Sequence, residues 1–375
     1  MNKKSLNQLF SAYIDKFEYL NNDTNCESYK WEAICKFQSI FDLDASDFAA
    51  MLKAARDSTE NIIDSYTQPF GGLVKLAEID PEPVREMFRA LLVPDNGDLV
   101  VRQEKIDAFL LACDRLVNQH FPGSFLYKND QRSAMAYLFF NDPDNHYLYK
   151  ATEAKYLADC VGFYDDWGSM AEFKLDIFHR FCDELITEIK DVPELVATHK
   201  SRFEKATKPM HPDDPLHILV FDIIYCSHTY DLYNGLSFDK VTSAERKLYQ
   251  EKKAKAQDLL LAVQKAEADQ AMLLEATKYF TDLILSGASV FHKMFGEVDV
   301  ESLDGGMLTL RIRKNGESKK FGLLFSIANG YIKVAADDFN DKVATYKAVM
   351  LRESDIPRSV KSAQDALLPY NKYLD

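Results

Sequence analysis

The sequence predicts a mainly α-helical protein with a small β-barrel near its C-terminus. Three observations favour this fold class. Apolar residues recur every three or four positions through residues 1–200, residues 243–286 continue as one long helical pattern, and residues 307–313 alternate apolar with polar side chains. We therefore expect four regions in the 375-residue chain: a multi-helix N-terminal domain at 1–207, a helical middle at 208–286, a barrel at 287–336, and a C-terminal helix and tail at 337–375.

The N-terminal region carries the helical period in several separate segments. One apolar stripe lies within residues 31–41, and a second follows two candidate N-caps, Ser46 and Asp44. Asp80 stands directly before a proline, which is typical of a helix start. Residues 102–119 contain a further stripe. These segments together predict a bundle of helices.

The middle of the chain predicts a break followed by one very long helix. Pro209–Pro215 is proline-rich and charged, so we expect a solvated linker there, and residues 217–227 read as a buried helix. Residues 242–245 read Thr-Ser-Ala-Glu, a capping box that opens a helix extending to about Ser286. Its apolar positions follow a heptad seam: Leu259, Val263, Ala266, Gln270, Leu273, Thr277, Phe280 and Ile284. Such a seam either joins two copies in a homodimer or packs on the chain's own helices.

The β-structure is predicted by short alternating segments and turn residues. Residues 307–313 alternate as a half-buried strand, and Asn315-Gly316 behind them is a strong hairpin signal. A second strand is expected at residues 319–325 and a short one at 331–334, with an earlier turn at 304–306. Four or five short strands suit a strongly curved barrel of SH3 type, an architecture that serves binding.

The same stretch matches the pattern V-x-H-x-x-F-G-x-G-x-V followed by a strand, a turn and K-x-F. The matching residues are Val290, His292, Phe295, Gly296, Val300, Lys320 and Phe321, then residues 329–334. This segment resembles the Tudor-like or SH3-like barrel appended to superfamily 1 repair helicases and to various bacterial defence proteins. Val298 stands where the family has its second glycine, which alters the first turn. The resemblance implies a binding module.

The N-terminal region carries a second resemblance, in blocks that agree in order. They are residues 29–33, Phe37, Asp42, Asp44, residues 47–48 and 51–52, residues 80–88, residues 137–138, residues 142–144 and residues 147–150. Together they resemble the region ahead of the AAA+ motor in 5-methylcytosine-specific restriction enzyme B-like proteins. No G-x-x-x-x-G-K-[ST] loop occurs in the sequence, so nucleotide hydrolysis is not implied. The resemblance implies a bacterial restriction or phage-defence system in which a partner ATPase or nuclease subunit supplies the motor or the cleavage.

The charge distribution identifies the barrel as the place for a nucleic acid or partner contact. The formal net charge is −14, which repels phosphate, whereas residues 290–334 hold seven Lys or Arg against five Asp or Glu. The candidate binding residues for DNA or a partner are Lys293, Arg311, Arg313, Lys314, Lys319, Lys320 and Tyr331. The alternative is that these cations form the solvated face of a half-exposed sheet.

Composition also bounds the surroundings of the protein. Six cysteines occur without C-x-x-C spacing, which predicts reduced thiols and argues against a zinc site or disulfides. The sequence has no run of about 18 apolar residues, so it predicts no membrane span. We therefore expect a cytoplasmic protein with no membrane association, no cofactor, no metal and no catalytic residue.

Three weaker constellations were considered for chemistry. Asp144 with Glu153 and Lys155 formally matches the P-D…E-x-K signature of metal-dependent nucleases, but residues 152–159 read as a helix where that chemistry needs a strand. A mixed His and Asp set suggests metal ligands, with a solvated linker as the alternative: His211, Asp213, Asp214, His217, Asp222 and His228. Aromatic residues with three cations suggest base stacking, with a packed core as the alternative: Tyr127, Tyr137, Phe139, Phe140, Tyr147, Tyr149 and Tyr156, with Lys128, Arg132 and Lys150.

These observations favour a non-catalytic accessory subunit that binds nucleic acid or protein. Two alternatives stay open from the sequence. One is a metal-dependent nuclease that uses the P-D…E-x-K-like residues, and the other is an acidic protein-interaction scaffold.

Overall fold

The computed structural model describes residues 1–374. It is mainly helical, with fifteen α-helices and one five-stranded antiparallel sheet, which confirms the coarse fold class. The chain divides into two compact units, unit 1 at Met1–Lys247 and unit 2 from Leu248 onward. Within residues 1–374, none of the helices combines the length and hydropathy that crossing a bilayer requires.

Unit 1 is built from helices throughout. Its helices are α1 Lys3–Leu20, α2 Tyr29–Ile40, α3 Phe48–Ser58, α4 Pro69–Ile79, α5 Pro81–Leu92, α6 Leu99–His120, α7 Gln131–Asn141, α8 Ala151–Cys160, α9 Leu175–Lys190, α10 Pro193–Glu204 and α11 His217–Thr229. The long helix α12, Ser243–Leu285, begins at the end of unit 1 and continues in unit 2. The predictions of helices at 152–159 and 217–227 are confirmed.

Short polar side chains determine where several helices start. The Asp80 carboxylate accepts from the Glu82 N–H and opens α5, as expected. Thr242 and Glu245 form the predicted reciprocal capping box of α12. The predicted caps of α3 were wrong: the Asp47 carboxylate accepts from the Ala50 N–H at 3.0 Å, so neither Ser46 nor Asp44 has that role. All three residues can cap, and local propensity alone did not discriminate among them.

The segment Pro209–Pro215 is packed into unit 1, so the expectation of a solvated linker was wrong. The His211 N–H donates to the Trp31 carbonyl at 3.1 Å. Asp213 is buried, and its carboxylate accepts from the Ile218 and Leu219 N–H groups at 2.9 Å each. Asp213 therefore serves the start of α11, because a carboxylate at a helix N-terminus satisfies otherwise unpaired N–H groups, whereas Asp214 is exposed.

Unit 2 combines most of α12 with the sheet and three further helices. Its strands are β1 Val290–His292, β2 Gly296–Asp304, β3 Met307–Ile312, β4 Ser318–Gly322 and β5 Ile332–Val334, and its later helices are α13 Leu323–Ala328, α14 Phe339–Met350 and α15 Ile356–Leu367. The strand order is β4-β3-β2-β1-β5 with every pair antiparallel. Within residues 1–374, β4 and β5 are edge strands that do not pair with each other, so the sheet is not closed.

The turns of the sheet differ from the prediction in one respect. The tight two-residue turn is Gly305-Gly306, where φ is +55° and +78°. Asn315-Gly316 instead belongs to a four-residue loop, in which the Ile312 N–H donates to the Glu317 carbonyl at 2.8 Å.

The strand predicted at 319–325 ends at Gly322, and α13 begins directly after it. The expected C-terminal tail also contains helix α15, because the proline at its start suits a first helical turn.

The apolar seam of α12 packs against other residues of the same chain. Every predicted seam position from Leu259 to Ile284 is buried or half-buried. Leu273, Phe280 and Ile284 belong to the core of unit 2, and the Phe280 ring lies 5.9 Å from that of Phe339 in α14. The structure therefore displays the intrachain alternative, and a homodimer stays a prediction.

Candidate functional site

The sheet presents one side to the core of unit 2 and the other to solvent. In β3, Leu308, Leu310 and Ile312 are buried, whereas Met307 and Arg311 are exposed. This two-residue alternation confirms the strand prediction. We call the solvent side the outward face, formed by Phe291, Glu297, Asp299, Thr309, Arg311, Ser318, Lys320 and Lys333.

The register arranges charges of both signs along the outward face. Phe291 of β1 lies between Lys333 of β5 and Glu297 of β2. Asp299 of β2 lies opposite Arg311 of β3. Cross-strand neighbours of opposite charge attract, and they reduce the positive potential that a phosphate would meet.

Arg313 is held by two carboxylates. Its Nε lies 2.9 Å from Asp299 Oδ1, and its Nη1 lies 2.6 Å from Glu297 Oε2. Asp299 and Glu297 both raise the pKa of Arg313. A phosphate that approached this guanidinium would compete with two acidic partners, although both ion pairs are exposed and therefore weak.

Lys319 and Lys320 lie on opposite sides of the sheet, because neighbouring residues of a strand alternate. Lys320 pairs with Thr309 on the outward face. Lys319 instead places its Nζ 4.8 Å from the centroid of the Phe295 ring, which stacks on His292. Burial, followed by the charge of Lys319, lowers the pKa of His292. The predicted cation set is therefore not one continuous patch.

Three exposed apolar side chains lie near the β1–β2 turn and α13. Met294, Phe325 and Tyr331 are 79%, 54% and 43% exposed, and we call them the apolar edge patch. The Phe325 and Tyr331 rings lie 6.5 Å apart. The Lys293 N–H donates to the Tyr331 carbonyl at 2.8 Å, which brings the turn carrying Met294 beside Tyr331.

The sequence pattern indicates Lys293 and Tyr331 as binding residues but does not indicate Met294 and Phe325. The prediction of a strand through Phe325 was wrong, and the exposure of Phe325 follows from the start of α13 at Leu323. Within this helix Leu324 and Ile327 are buried, so the helical period turns Phe325 outward. The spacing of Leu323, Leu324 and Ile327 is the sequence pattern that could have predicted this helix, and with it the exposure of Phe325.

The remaining predicted site residues are exposed at the β3–β4 end of the sheet. Among residues 1–374, Arg311, Lys314 and Lys320 form no ion pair with a carboxylate. Unit 2 contains 18 Lys or Arg and 18 Asp or Glu, whereas unit 1 contains 27 and 41. The acidic excess of the protein therefore belongs to unit 1.

The mixed His and Asp set does not converge on one point. The His217 Nδ1 contacts the Pro143 carbonyl at 2.8 Å, whereas Asp213 accepts from the start of α11. Asp222 lies in a buried ion network, and His228 is exposed. These side chains have separate structural partners, and together they do not form a ligand set.

One buried group has a spacing that metal ligands can have. Among residues 1–374, ligand atoms of Glu27, Asp222 and Cys226 lie within 4.8 Å of one another. The Lys30 ammonium already lies among them, 2.7 Å from Glu27 Oε2 and paired with Asp222. Arg202 adds a second cation, 3.3 Å from Asp222 Oδ2. The charges of the two carboxylates, Glu27 and Asp222, are balanced by those of Lys30 and Arg202. A metal ion at this place would therefore have to displace the Lys30 ammonium group.

The E-x-K part of the nuclease-like motif lies on a helix, whereas Asp144 lies in the turn before it. Glu153 and Lys155 are two positions apart in α8, so they do not share a helix face. Lys155 Nζ is bound to Asp166 at 2.9 Å. Asp144 is exposed, and its nearest ionic partner is His211 at 3.8 Å. This arrangement does not assemble the two-acid and lysine geometry of those nucleases.

The aromatic residues considered for base stacking form core. Tyr137, Phe139, Phe140, Tyr147 and Tyr149 are all buried in unit 1, which confirms the packed-core interpretation for them. The three cations of that set behave differently. Lys128, Arg132 and Lys150 line one cavity together, a convergence that the sequence did not indicate.

Comparison with protein-family models, with curated proteins and with solved structures found no match to this chain.

Proposed function

We propose that this protein is a non-catalytic accessory subunit that binds a partner protein through the apolar edge patch of unit 2. The observation that carries the proposal is the joint exposure of Met294, Phe325 and Tyr331. Aromatic residues and methionine are enriched at protein interfaces, and adjacent exposed rings are typical anchors. Lys293, beside this patch, favours a partner that presents an apolar segment next to a carboxylate.

The charge pattern supports a protein over a nucleic acid as the main ligand. Unit 2 carries equal numbers of basic and acidic residues, and Glu297 and Asp299 already hold Arg313. Nucleic acid binding draws most of its affinity from unopposed cations. A face of mixed charge beside apolar anchors better suits a protein surface.

The finer fold assignment belongs to the same proposal. The order β5-β1-β2-β3-β4, with the short helix α13 between β4 and β5, supports an SH3-like or Tudor-like barrel. The two resemblances in the sequence support a role in a restriction or phage-defence system, with an ATPase or nuclease as the partner protein.

The test is affinity capture from a lysate of the source organism, with mass spectrometry of the retained proteins. We expect wild type to retain a specific protein and the double variant Phe325→Ser/Tyr331→Ser to lose it. Leu261→Ser is the matched control, because Leu261 is 63% exposed and lies on α12, outside the apolar edge patch. Equal capture by the double variant would exclude the edge patch as the binding site.

DNA binding is a second candidate, favoured by the unpaired cations Arg311, Lys314 and Lys320. Fluorescence anisotropy with labelled duplex and single-stranded DNA at several salt concentrations tests it. We expect Arg311→Glu/Lys320→Glu to weaken binding and to flatten its salt dependence. The exposed residue Lys361 of α15 provides the control variant Lys361→Glu. If wild type does not bind at low salt, this candidate is wrong.

A further inference from the structure

The cavity that collects Lys128, Arg132 and Lys150 lies in unit 1, at the starts of three helices. Pro69 of α4, Arg132 and Ser133 of α7, and Ala151 of α8 all line it, and its volume is about 240 Å³. We call it the α8 cavity. Each helix N-terminus carries a partial positive charge, so three of them at one cavity create a site that favours an anion.

Two of the three helix starts already have an acidic cap, and the third does not. Asp64 accepts from the Phe70 and Gly71 N–H groups at 2.9 Å each, at the start of α4. Asp130 caps α7 together with Ser133. Within the described chain, no side chain caps α8, whose N-cap position is occupied by Lys150. The first N–H groups of α8 therefore remain available to an external acceptor.

The cations around the cavity exceed its carboxylates. Lys150 is half-buried, and its Nζ donates to the Ile62 carbonyl at 2.7 Å without a carboxylate partner among residues 1–374. Arg132 pairs with Asp130 at 2.6 Å, and Lys128 is exposed. Three cations thus face Asp130 and Glu153, although unit 1 as a whole is strongly acidic.

Lys150 is partly buried, and one nearby carboxylate acts on it. Burial lowers its pKa, the charge of Glu153 raises it, and the charges of Arg132 and Lys30 lower it further. A half-buried ammonium group without an ion partner is unfavourable, because its lost hydration is incompletely replaced. An anion in the cavity would supply this ammonium group with an ion partner.

We propose that the α8 cavity binds a phosphate group. Its volume lies below the roughly 300–1,000 Å³ that is typical for drug-sized ligands, which suits a small oxyanion. Free backbone N–H groups, the Lys150 ammonium group and the Arg132 N–H groups that Asp130 leaves unbound are donors that phosphate takes. The phosphate is either inorganic or the anchor of a phosphomonoester, whose organic part would lie against the apolar wall that Ile62, Leu148 and Tyr149 contribute.

Glu153 makes the proposal sharply testable, because it lines the same cavity and its negative charge acts on Lys150 and Arg132, where it would compete with an anion. Replacing Glu153 with glutamine should strengthen phosphate binding, whereas Lys150→Met should weaken it. A merely structural role for the two residues does not predict opposite effects on phosphate affinity. Lys155→Met is the matched control, since Lys155 lies on the same helix but pairs with Asp166.

The experiment is isothermal titration calorimetry of the full chain at low ionic strength, with inorganic phosphate and with phenyl phosphate as probes. We expect Lys150→Met to lower the affinity by about tenfold or more and Glu153→Gln to raise it several-fold, with Lys155→Met unchanged. Tighter binding of phenyl phosphate than of inorganic phosphate would identify a phosphomonoester site, and the reverse would identify a free-phosphate site.

Circular dichroism and the Tm of each variant establish that it is folded. If Lys150→Met does not fold, Arg132→Gln at the cavity mouth replaces it and should weaken binding in the same direction. The proposal is wrong if neither probe binds wild type at millimolar concentrations. It is equally wrong if the cavity variants and Lys155→Met change the affinity alike.

Discussion

The Lys30 ammonium group forms an ion pair with the Asp222 carboxylate, and unit 1 encloses both side chains completely. Tyr13 and Arg202 also bind Asp222, so the pair lies in a network that joins α1, α2, α10 and α11. Burial disfavours the charged form of Asp222, but Lys30 and Arg202 outweigh it and lower the pKa of that carboxyl. The network therefore helps to specify how four helices pack, because each charge needs the others in place.

Removing Lys30 should strongly destabilise unit 1. Lys30→Met leaves Asp222 with Arg202 as its remaining cation and removes the ion-pair partner of the buried Glu27, and breaking a buried pair in this way costs about 3–5 kcal/mol. Urea unfolding followed by circular dichroism measures the change. The control Lys205→Met removes an exposed ion pair with Glu18 and should cost less than about 1 kcal/mol. Similar losses in the two variants would contradict a special role for the buried network.

The stability of unit 1 should fall as the pH decreases from neutrality. Burial, and then Arg102, lower the pKa of His146 and of His179 to about 3. Below about pH 6.5 these histidines are therefore protonated in the unfolded chain but stay neutral in the folded protein. Each such histidine lowers the free energy of unfolding by about 1.4 kcal/mol per pH unit. This loss continues until the pH approaches the folded pKa. Asp213 opposes it, since burial raises its pKa to about 7 and the folded state gains a proton there.

A single variant isolates the histidine contribution. His179→Phe keeps the ring packing against Tyr147, whose centroid lies 4.9 Å away, but removes the titrating group. Urea unfolding at about pH 7 and pH 5 should then show a smaller loss of stability than in wild type. His228→Phe, at an exposed site, controls for the replacement of histidine by phenylalanine as such. An unchanged slope in His179→Phe would show that this histidine is protonated in the folded protein.

The turn between β2 and β3 should tolerate asparagine better than alanine. Gly305 has φ of +55°, a conformation that costs an L-residue with a Cβ about 1–2 kcal/mol. We expect Gly305→Ala to lower the free energy of unfolding of unit 2 by this amount and Gly305→Asn to lower it less. Gly322→Ala is the control, because its Cβ would meet only ordinary contacts. Thermal unfolding monitored by circular dichroism compares the three.

Phe280 should be the most sensitive position of α12. It is completely buried in the core of unit 2, so Phe280→Ala leaves a cavity and should cost about 3–5 kcal/mol. Leu274 is 64% exposed on the same helix, and Leu274→Ala should change stability little. Guanidinium unfolding of the two variants measures the difference. A small effect of Phe280→Ala would argue against the intrachain packing of the seam.

The sequence alone determined much of the local structure of this protein. The alternation of Leu308, Leu310 and Ile312 identified a strand and its buried side, and Thr242 with Glu245 identified the start of the long helix. These predictions hold because side-chain periodicity and capping depend on residues within a few positions of one another. The length of the Asn315-Gly316 loop escaped the same reasoning, since the pairing of β3 with β4 decides it.

Only the tertiary structure decided which charges are available for binding. The sequence predicted Arg313 as a contact residue, but Glu297 and Asp299 of the neighbouring strand hold it. Conversely, the sequence indicates Lys150 only as one of three cations near a set of aromatic residues. The structure places it at a cavity formed by the starts of three helices that are distant in the chain. The physical reason is that ion pairing and burial depend on distances of a few ångströms between segments far apart in sequence, which no local pattern specifies.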